Sequence, residues 1–209
     1  MVKTTKSKTK KPPQFTQWGD PVLSKPTKKV SATELKSPKF RSTLRRMFKW
    51  ADITGAFGIA ANQVGIPKRF AILVIKPKPE LPLLPPLEPT VIINPNIVGR
   101  SKAKQYGVMV SKTHRYWEGC LSNPPGSIRY MTERSLWVDV VYTDINGRRV
   151  KQRVNGFHAI LFQHEIDHLD GKVCAESIVV RNGKVLPGAI ITHEWYAKTK
   201  GALPKDLKK

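Results

Sequence analysis

The segment Gln163–Leu169, QHEIDHL, contains two histidines and a glutamate at spacings suited to metal-dependent hydrolysis. His164 and His168 are four residues apart, so on a helix both imidazoles lie on one face and can bind a single cation. Glu165 follows the first histidine and can approach water at that cation, where a carboxylate acts as a general base. The pattern therefore predicts a metal site whose base and two ligands share one helix.

The third ligand is not settled by this segment. Cys174 is nearest along the chain, but Gly171 is expected to end the helix before it, and an apolar cysteine in a following strand is most often a packing residue. His193 or Glu194 would give the arrangement of a thermolysin-like protease. Cys120, in the segment WEGCLSNPPG, is the fourth candidate, next to an acidic residue able to orient bound groups.

Three segments in order resemble the motifs of the peptide deformylases, which are G-x-G-L-A-A-x-Q, E-G-C-L-S and Q-H-E-x-D-H-L. The corresponding segments are AFGIAANQ at Ala56–Gln63, EGCLS at Glu118–Ser122 and QHEIDHL at Gln163–Leu169. GDPVL at Gly19–Leu23 is similar to the N-terminal signature of the family. The resemblance covers roughly residues 15–195, and the second and third motifs match completely.

The resemblance implies one divalent metal ion, which is Fe(II) in typical family members, with Zn, Ni or Co also accepted. Its ligands would be Cys120, His164 and His168. Glu165 would be the general base. The backbone N–H of Leu121 and the side-chain amide of Gln63 would donate hydrogen bonds to the carbonyl oxygen that becomes negative during attack.

The substrate that the resemblance implies is the N-terminal formyl-methionine of a nascent polypeptide, from which formate is released. The methionine side chain needs an apolar pocket. By motif position, the residues expected to line it are Phe57, Gly58, Gly119, Ile160 and Leu161.

The chain departs from the family pattern in two places. Ala56 stands where the first motif has its first glycine, and Ile59 replaces a leucine. The added methyl at residue 56 bears on the fit of the substrate rather than on the chemistry. An arginine pair often follows the second motif, but Arg129 and Arg134 lie at different offsets, so neither is assigned that role.

The net charge of +22 is spread over the whole chain of 209 residues. Five lysines lie within residues 1–11 and five within residues 198–209, yet the body between them is also basic. Such a surface attracts phosphates, and it predicts contact with the ribosome or another RNA, or else a solvated surface that maintains solubility.

The sequence also bears on the compartment. No apolar run is long enough to span a membrane, and the first residues have neither the apolar core of a signal peptide nor the amphipathic face of a transit peptide. We therefore expect no membrane association and a cytoplasmic location, with an organelle matrix or stroma as the alternative.

The order of predicted elements indicates an α+β fold, with mixed or antiparallel sheets around a central helix that carries the metal motif. An amphipathic helix is predicted after the N-cap Ser37, and a hairpin with a type I′ turn at Asn146-Gly147. One catalytic domain is expected over residues 15–197, between a disordered lysine-rich tail at 1–14 and a basic tail at 198–209.

Two other functions fit parts of the sequence. An H-E-x-x-H metalloprotease would use His193, Glu194 or Cys174 as its third ligand. A basic ribosome- or RNA-binding protein would use the metal only to hold its structure.

Overall fold

The computed structural model describes residues 14–123, 128–185, 189–192, 197–198 and 200. The helices are α1 (Ala32–Lys36), α2 (Pro38–Thr54) and α3 (Gly156–Leu169), with short 3-10 turns at Ala61–Val64 and Cys174–Ser177. The strands are β1 (Gly58–Ala60), β2 (Phe70–Ile75), β3 (Leu87–Arg100), β4 (Lys104–Gln105), β5 (Val108–Met109), β6 (Arg115–Tyr116), β7 (Ile128–Tyr130), β8 (Arg134–Ser135), β9 (Trp137–Thr143), β10 (Arg149–Asn155), β11 (Val180–Arg181), β12 (Lys184–Val185) and β13 (Ile190–Thr192).

Among the described residues, the main sheet has five strands in the order β1-β2-β3-β9-β10, and four smaller sheets have two strands each. All pairings between these described strands are antiparallel. Strand β2, FAILVI, is apolar and buried throughout because helices cover both faces of the sheet. The α+β prediction is confirmed, with antiparallel sheets around α3.

Helix α2 begins as predicted. The Ser37 hydroxyl accepts the N–H of Phe40, and Pro38 occupies the first turn, where its missing N–H costs nothing. The helix buries one face, Phe40, Leu44, Met47 and Ala51, against β2 and β3. It ends at Gly55, whose φ of 70° is readily adopted only by glycine.

Helix α3 packs on the opposite face of the sheet and is buried on nearly all sides. Asn155 is its N-cap residue, although the Asn155 side chain makes no capping hydrogen bond. Gly171, with a φ of 79°, follows the C-cap Asp170 and turns the chain away. Because α3 is enclosed, its polar side chains point into the protein rather than into water, and this places the metal motif in the core.

The β9–β10 hairpin forms in the predicted place but not with the predicted turn. A type I′ turn needs a positive φ at both Asn146 and Gly147, and only Gly147 has one, at 82°. The Asp144 carboxylate instead accepts the N–H groups of Asn146 and Arg148 at 2.9 and 2.8 Å. This side-chain acceptor favours a longer loop in which only the last residue is left-handed.

A second hairpin, β11–β12, turns through Asn182 and Gly183 with φ of 50° and 73°. The segment after Gly171 differs from its prediction, because Cys174 begins a 3-10 turn rather than leading directly into a strand. Among the described residues, no helix combines the length and the apolar character needed to cross a membrane. Residues 1–13 of the lysine-rich N-terminal tail and most of the basic C-terminal tail lie outside the described residues.

Candidate metal centre and active site

The structure brings Cys120, His164 and His168 together from two distant parts of the chain. The two histidines lie one turn apart on α3, with ring centroids 4.9 Å apart, and Cys120 lies on the loop between β6 and β7. The three ligand atoms are all within 4.8 Å of one another. The Cys120 sulfur lies 3.2 Å from Nε2 of His168. Two imidazole nitrogens and one thiolate suit a divalent ion such as iron or zinc, and three protein ligands leave one position open.

Glu118 orients one of these three candidate ligands. Its Oε2 lies 2.7 Å from Nδ1 of His164, so the other ring nitrogen is directed toward the metal cluster. Arg134 donates to both Glu118 oxygens, at 2.7 and 2.8 Å, and also binds Asp167 on α3. Burial alone would raise the pKa of Glu118, but the charge of Arg134 outweighs it and holds the pKa well below its usual range.

We expect Arg134→Met to lower the free energy of unfolding by about 3–5 kcal/mol, because it leaves the Glu118 carboxylate buried without its partner. Urea denaturation measures the loss. The double variant Glu118→Gln/Arg134→Met should be more stable than Arg134→Met alone. The control is Arg153→Met, which removes an exposed ion pair with Asp139 and should change stability little. Equal losses in Arg134→Met and Arg153→Met would contradict the role of burial.

Glu165 lies inside the protein at the edge of the metal cluster. Its side chain is 2% exposed, and its Oε2 makes no hydrogen bond with any described residue. Burial raises the pKa of Glu165 to about 7, against the opposing charges of His164 and His168. A buried carboxylate with a pKa near neutrality and a free acceptor oxygen suits a general base.

Gly58 on β1 leaves the space that the Glu165 side chain occupies. A Cβ built on Gly58 would lie 2.7 Å from Cδ and 2.8 Å from Cγ of Glu165. Contacts this short force one of the two groups to move, and the carboxylate end of a side chain moves more easily than a strand. The family resemblance places Gly58 in the substrate pocket, and the structure adds that the absence of a side chain at Gly58 leaves room for the Glu165 carboxylate.

Gly58→Ala is expected to lower turnover about 10²-fold with metal content unchanged. The added methyl would displace the Glu165 carboxylate, and a displacement of about 1 Å at a reacting group lowers the rate by about this factor. Steady-state kinetics and metal analysis on one sample measure both. The control is Gly99→Ala on β3, whose Cβ would lie 2.8 Å from a carboxylate oxygen of Asp139, away from the cavity. If both variants lost activity equally, Gly58 would have no specific effect on Glu165.

The two groups expected to stabilise the oxyanion also lie at this site. The Gln63 amide nitrogen is 3.4 Å from the Cys120 sulfur and 3.3 Å from the Ser122 hydroxyl. The Gln63 oxygen accepts the N–H of Ala60 at 2.9 Å, which fixes the orientation of the amide. Leu121 follows Cys120 directly and lines the same cavity as Gln63.

A cavity of about 380 Å³ opens in front of the metal cluster. All five residues expected at the substrate pocket line it: Phe57, Gly58, Gly119, Ile160 and Leu161. Ala56, which replaces a motif glycine, also lines the cavity. Their roles toward a substrate stay predictions.

The sequence did not indicate two further aromatic residues of this cavity. Tyr116 and Phe157 line it and pack edge-to-face with ring centroids 4.7 Å apart, and both rings contact that of Phe57. Phe157 is the first apolar residue of α3 and could have been found from helical periodicity. Tyr116 comes from a two-residue strand, for which no sequence pattern exists.

The two arginines without an assigned role have distinct positions. Arg134 holds Glu118, as described above, whereas Arg129 lines the cavity beside Gly119. A Cβ on Gly119 would lie 2.8 Å from the central guanidinium carbon of Arg129. Gly119 therefore allows the Arg129 side chain to cross the backbone next to Cys120.

Cys174 does not belong to the cluster of three ligand atoms, but it lies beside it. Cys174 is 2% exposed, and its hydrogen bond to Cys120, together with the charge of His168, holds the pKa of the Cys120 thiol well below its usual value despite burial. The same hydrogen bond and burial raise the pKa of Cys174. The other two candidates for third ligand, His193 and Glu194, lie outside the described residues.

An antiparallel α+β fold around an H-E-x-x-H helix, completed by a cysteine from a neighbouring loop, defines a class of metal-dependent hydrolases. The family model for polypeptide deformylases matches residues 12–183. The chain belongs to this family.

Individual relatives agree with the assignment. The chain is 44% identical over 114 residues to peptide deformylase 2 of Nostoc sp., covering 54% of this chain and 58% of that protein. It is 33% identical over 180 residues to the chloroplastic peptide deformylase 1A of Solanum lycopersicum, covering 81% of this chain and 60% of that protein. The chain thus spans under two thirds of the length of both. A class I type b peptide deformylase from Acinetobacter baumannii, solved with Met-Ala-Ser bound, superimposes with a TM-score of 0.70 at 34% identity, covering 78% of this chain and 96% of that chain.

Proposed function

We propose that this protein removes the formyl group from the N-terminal formyl-methionine of nascent polypeptides, producing formate and a free amine. The observation that carries the proposal is the convergence of Cys120 on His164 and His168, with all ligand atoms within 4.8 Å, beside the buried Glu165. Membership of the polypeptide deformylase family supports the same activity. The Acinetobacter structure holds Met-Ala-Ser, a peptide that begins with methionine.

Each polar group at the site has a separate task in this reaction. Cys120, His164 and His168 would hold a divalent ion, which would supply Lewis acidity and would make a water molecule more acidic. Glu165 takes a proton from the water as its oxygen adds to the formyl carbon, and then delivers that proton to the nitrogen of the leaving amine. As the carbon–nitrogen bond breaks, formate is released.

Two donors stabilise the negative charge that develops on the carbonyl oxygen. In our proposal these donors are the Gln63 amide and the N–H of Leu121, both at the cavity next to Cys120. The hydrogen bond between the Gln63 oxygen and Ala60 supports this assignment, because it turns the amide nitrogen toward the site. The apolar rings and side chains of the cavity, Phe57, Tyr116, Phe157, Ile160 and Leu161, would hold the methionine.

We propose Fe(II) as the working ion, with Zn, Ni or Co as substitutes that the same ligand set can bind. We place the activity in the cytoplasm, with an organelle as the alternative that the chloroplastic tomato relative supports. Nascent chains make the ribosome a natural partner, and the basic surface of the chain supports such contact.

The test is formate release from formyl-Met-Ala-Ser by protein purified without oxygen, with metal analysis of the same sample. We expect about one metal ion per chain and activity that chelation abolishes and Fe(II) restores. Acetyl-Met-Ala-Ser is the control substrate, and it should not be hydrolysed at a comparable rate. Cleavage of internal peptide bonds without formate release would instead support a metalloprotease.

A further inference from the structure

The outward face of α2 carries a strip of positive charge. Arg41, Arg45 and Lys49 are exposed and spaced at i, i+4 and i+8, so they follow one line along the helix, about 6 Å apart along its axis. Lys39 and Arg46 are also exposed, and both lie on the same side of this strip. The helix thus presents five cations over a face that is directed away from the core.

Acidic side chains near this face are occupied elsewhere. The only acid of α2, Asp52, binds Lys76 at 2.7 Å, and Glu34 of α1 binds Lys68 at 2.5 Å. Arg46 is held over the ring of Trp50, with its guanidinium carbon 5.1 Å from the ring centroid. Asp52 and Glu34 thus bind lysines that lie outside the strip.

Folding does not account for this arrangement. The packing of α2 comes from its opposite face, which buries Phe40, Leu44 and Met47. Like charges four residues apart on a helix repel each other, so the strip destabilises the isolated helix. An alternation of acids and bases would keep this face equally soluble without that repulsion.

We propose that this cationic strip, defined by Arg41, Arg45 and Lys49, docks on the phosphate backbone of an RNA. A row of cations at regular spacing is complementary to a row of phosphates, and each contact releases bound counterions. The choice of RNA among polyanions rests on the proposed function, which places the protein beside nascent chains. An anionic membrane fits less well, because the apolar face that an amphipathic helix would insert is buried in the core.

The cationic strip lies on the helix that ends at the cavity. Helix α2 ends at Thr54 and Gly55, and both residues line the mouth of the cavity. An RNA bound along α2 therefore lies beside the entrance through which a peptide reaches the metal cluster. Docking in this way would raise the local concentration of peptides that emerge next to that RNA.

The experiment measures binding of the full chain to a fluorescent RNA duplex by anisotropy, between 50 and 200 mM salt as usual for such contacts. The variant Arg41→Gln/Arg45→Gln/Lys49→Gln should bind at least about tenfold more weakly, and the slope of log affinity against log salt should fall by about 2. Its circular dichroism and its turnover of formyl-Met-Ala-Ser should match the unmodified chain. Retained turnover distinguishes a failure of docking from a failure of the proposed activity.

The matched control removes the same number of charges elsewhere. Lys102, Lys112 and Lys184 are exposed and lie outside α2 and the main sheet, so Lys102→Gln/Lys112→Gln/Lys184→Gln should keep most of the affinity. Equal losses in both triple variants would mean that net charge alone governs binding, and would overturn the proposal. Unchanged affinity in the α2 variant would overturn it as well. Binding to phosphatidylserine vesicles or to duplex DNA would also overturn the proposal, if that binding is tighter than RNA binding and is lost in the α2 variant.

Discussion

Replacing Glu165 with alanine is expected to lower the turnover of formyl-Met-Ala-Ser by about 10²- to 10⁴-fold while the protein keeps its metal. The carboxylate is buried at the edge of the cluster and has one oxygen without a partner among the described residues, so it can accept a proton from water. Glu165 is not one of the three residues that could hold the metal ion. Kinetics with metal analysis on the same preparation measures both effects.

Glu165→Gln sharpens the same prediction, because it keeps the size of the side chain and removes only its basicity. Activity should fall as in the alanine variant. Thermal unfolding should move to a higher temperature, since a buried carboxylate is costly to desolvate and the site is built for chemistry rather than stability. Full activity in Glu165→Gln would show that another group takes the proton. Absence of turnover in the unmodified chain, with RNA binding unimpaired in Glu165→Ala, would favour the structural-metal alternative.

The local parts of the site could be predicted from the sequence because they depend on spacing along one helix. His164, Glu165 and His168 needed only the 3.6-residue repeat and a boundary at Gly171. The third ligand could not be found in this way, since residue spacing left four candidates open. Resemblance to a family selected Cys120, and the fold brings this residue to α3 across more than forty positions of the chain.

What the sequence missed depends on contacts between segments that are short or irregular. Arg134 belongs to a two-residue strand, and its partners Glu118 and Asp167 come from a loop and from α3. A two-residue strand is too short to show the alternation of apolar and polar residues from which a strand is predicted. The effect of Gly58 on Glu165 could not be predicted from the sequence either. The missing side chain at Gly58 has an effect only because the Glu165 side chain, from a distant part of the chain, fills the space. The type I′ turn predicted at Asn146-Gly147 is wrong because the Asp144 carboxylate accepts the N–H groups of Asn146 and Arg148 and favours a different turn.

Cys120→Ala is expected to lose the metal, with affinity reduced by several orders of magnitude, whereas Cys174→Ala should keep one ion per chain. A third ligand that is also a thiolate contributes charge as well as a bond, and two histidines alone bind divalent ions weakly. The pKa of Cys120 is held well below its usual value by the hydrogen bond of Cys174 and by the charge of His168, so this sulfur is the one that is ready to bind. Burial and the hydrogen bond to Cys120 raise the pKa of Cys174, which favours its protonated form.

The pair of variants also separates two roles for Cys174. If Cys174 only packs in the core, Cys174→Ala should lower stability by about 1–2 kcal/mol and leave metal affinity unchanged. If its thiol proton supports the Cys120 thiolate, Cys174→Ala should weaken metal binding by about 10- to 100-fold, the range seen for outer partners of metal ligands, and Cys174→Ser should restore part of it. Competition with a chelator measures the affinity in each case. Loss of metal in Cys174→Ala together with retention in Cys120→Ala would reverse the assignment and return the third position to the residue nearest the helix in sequence.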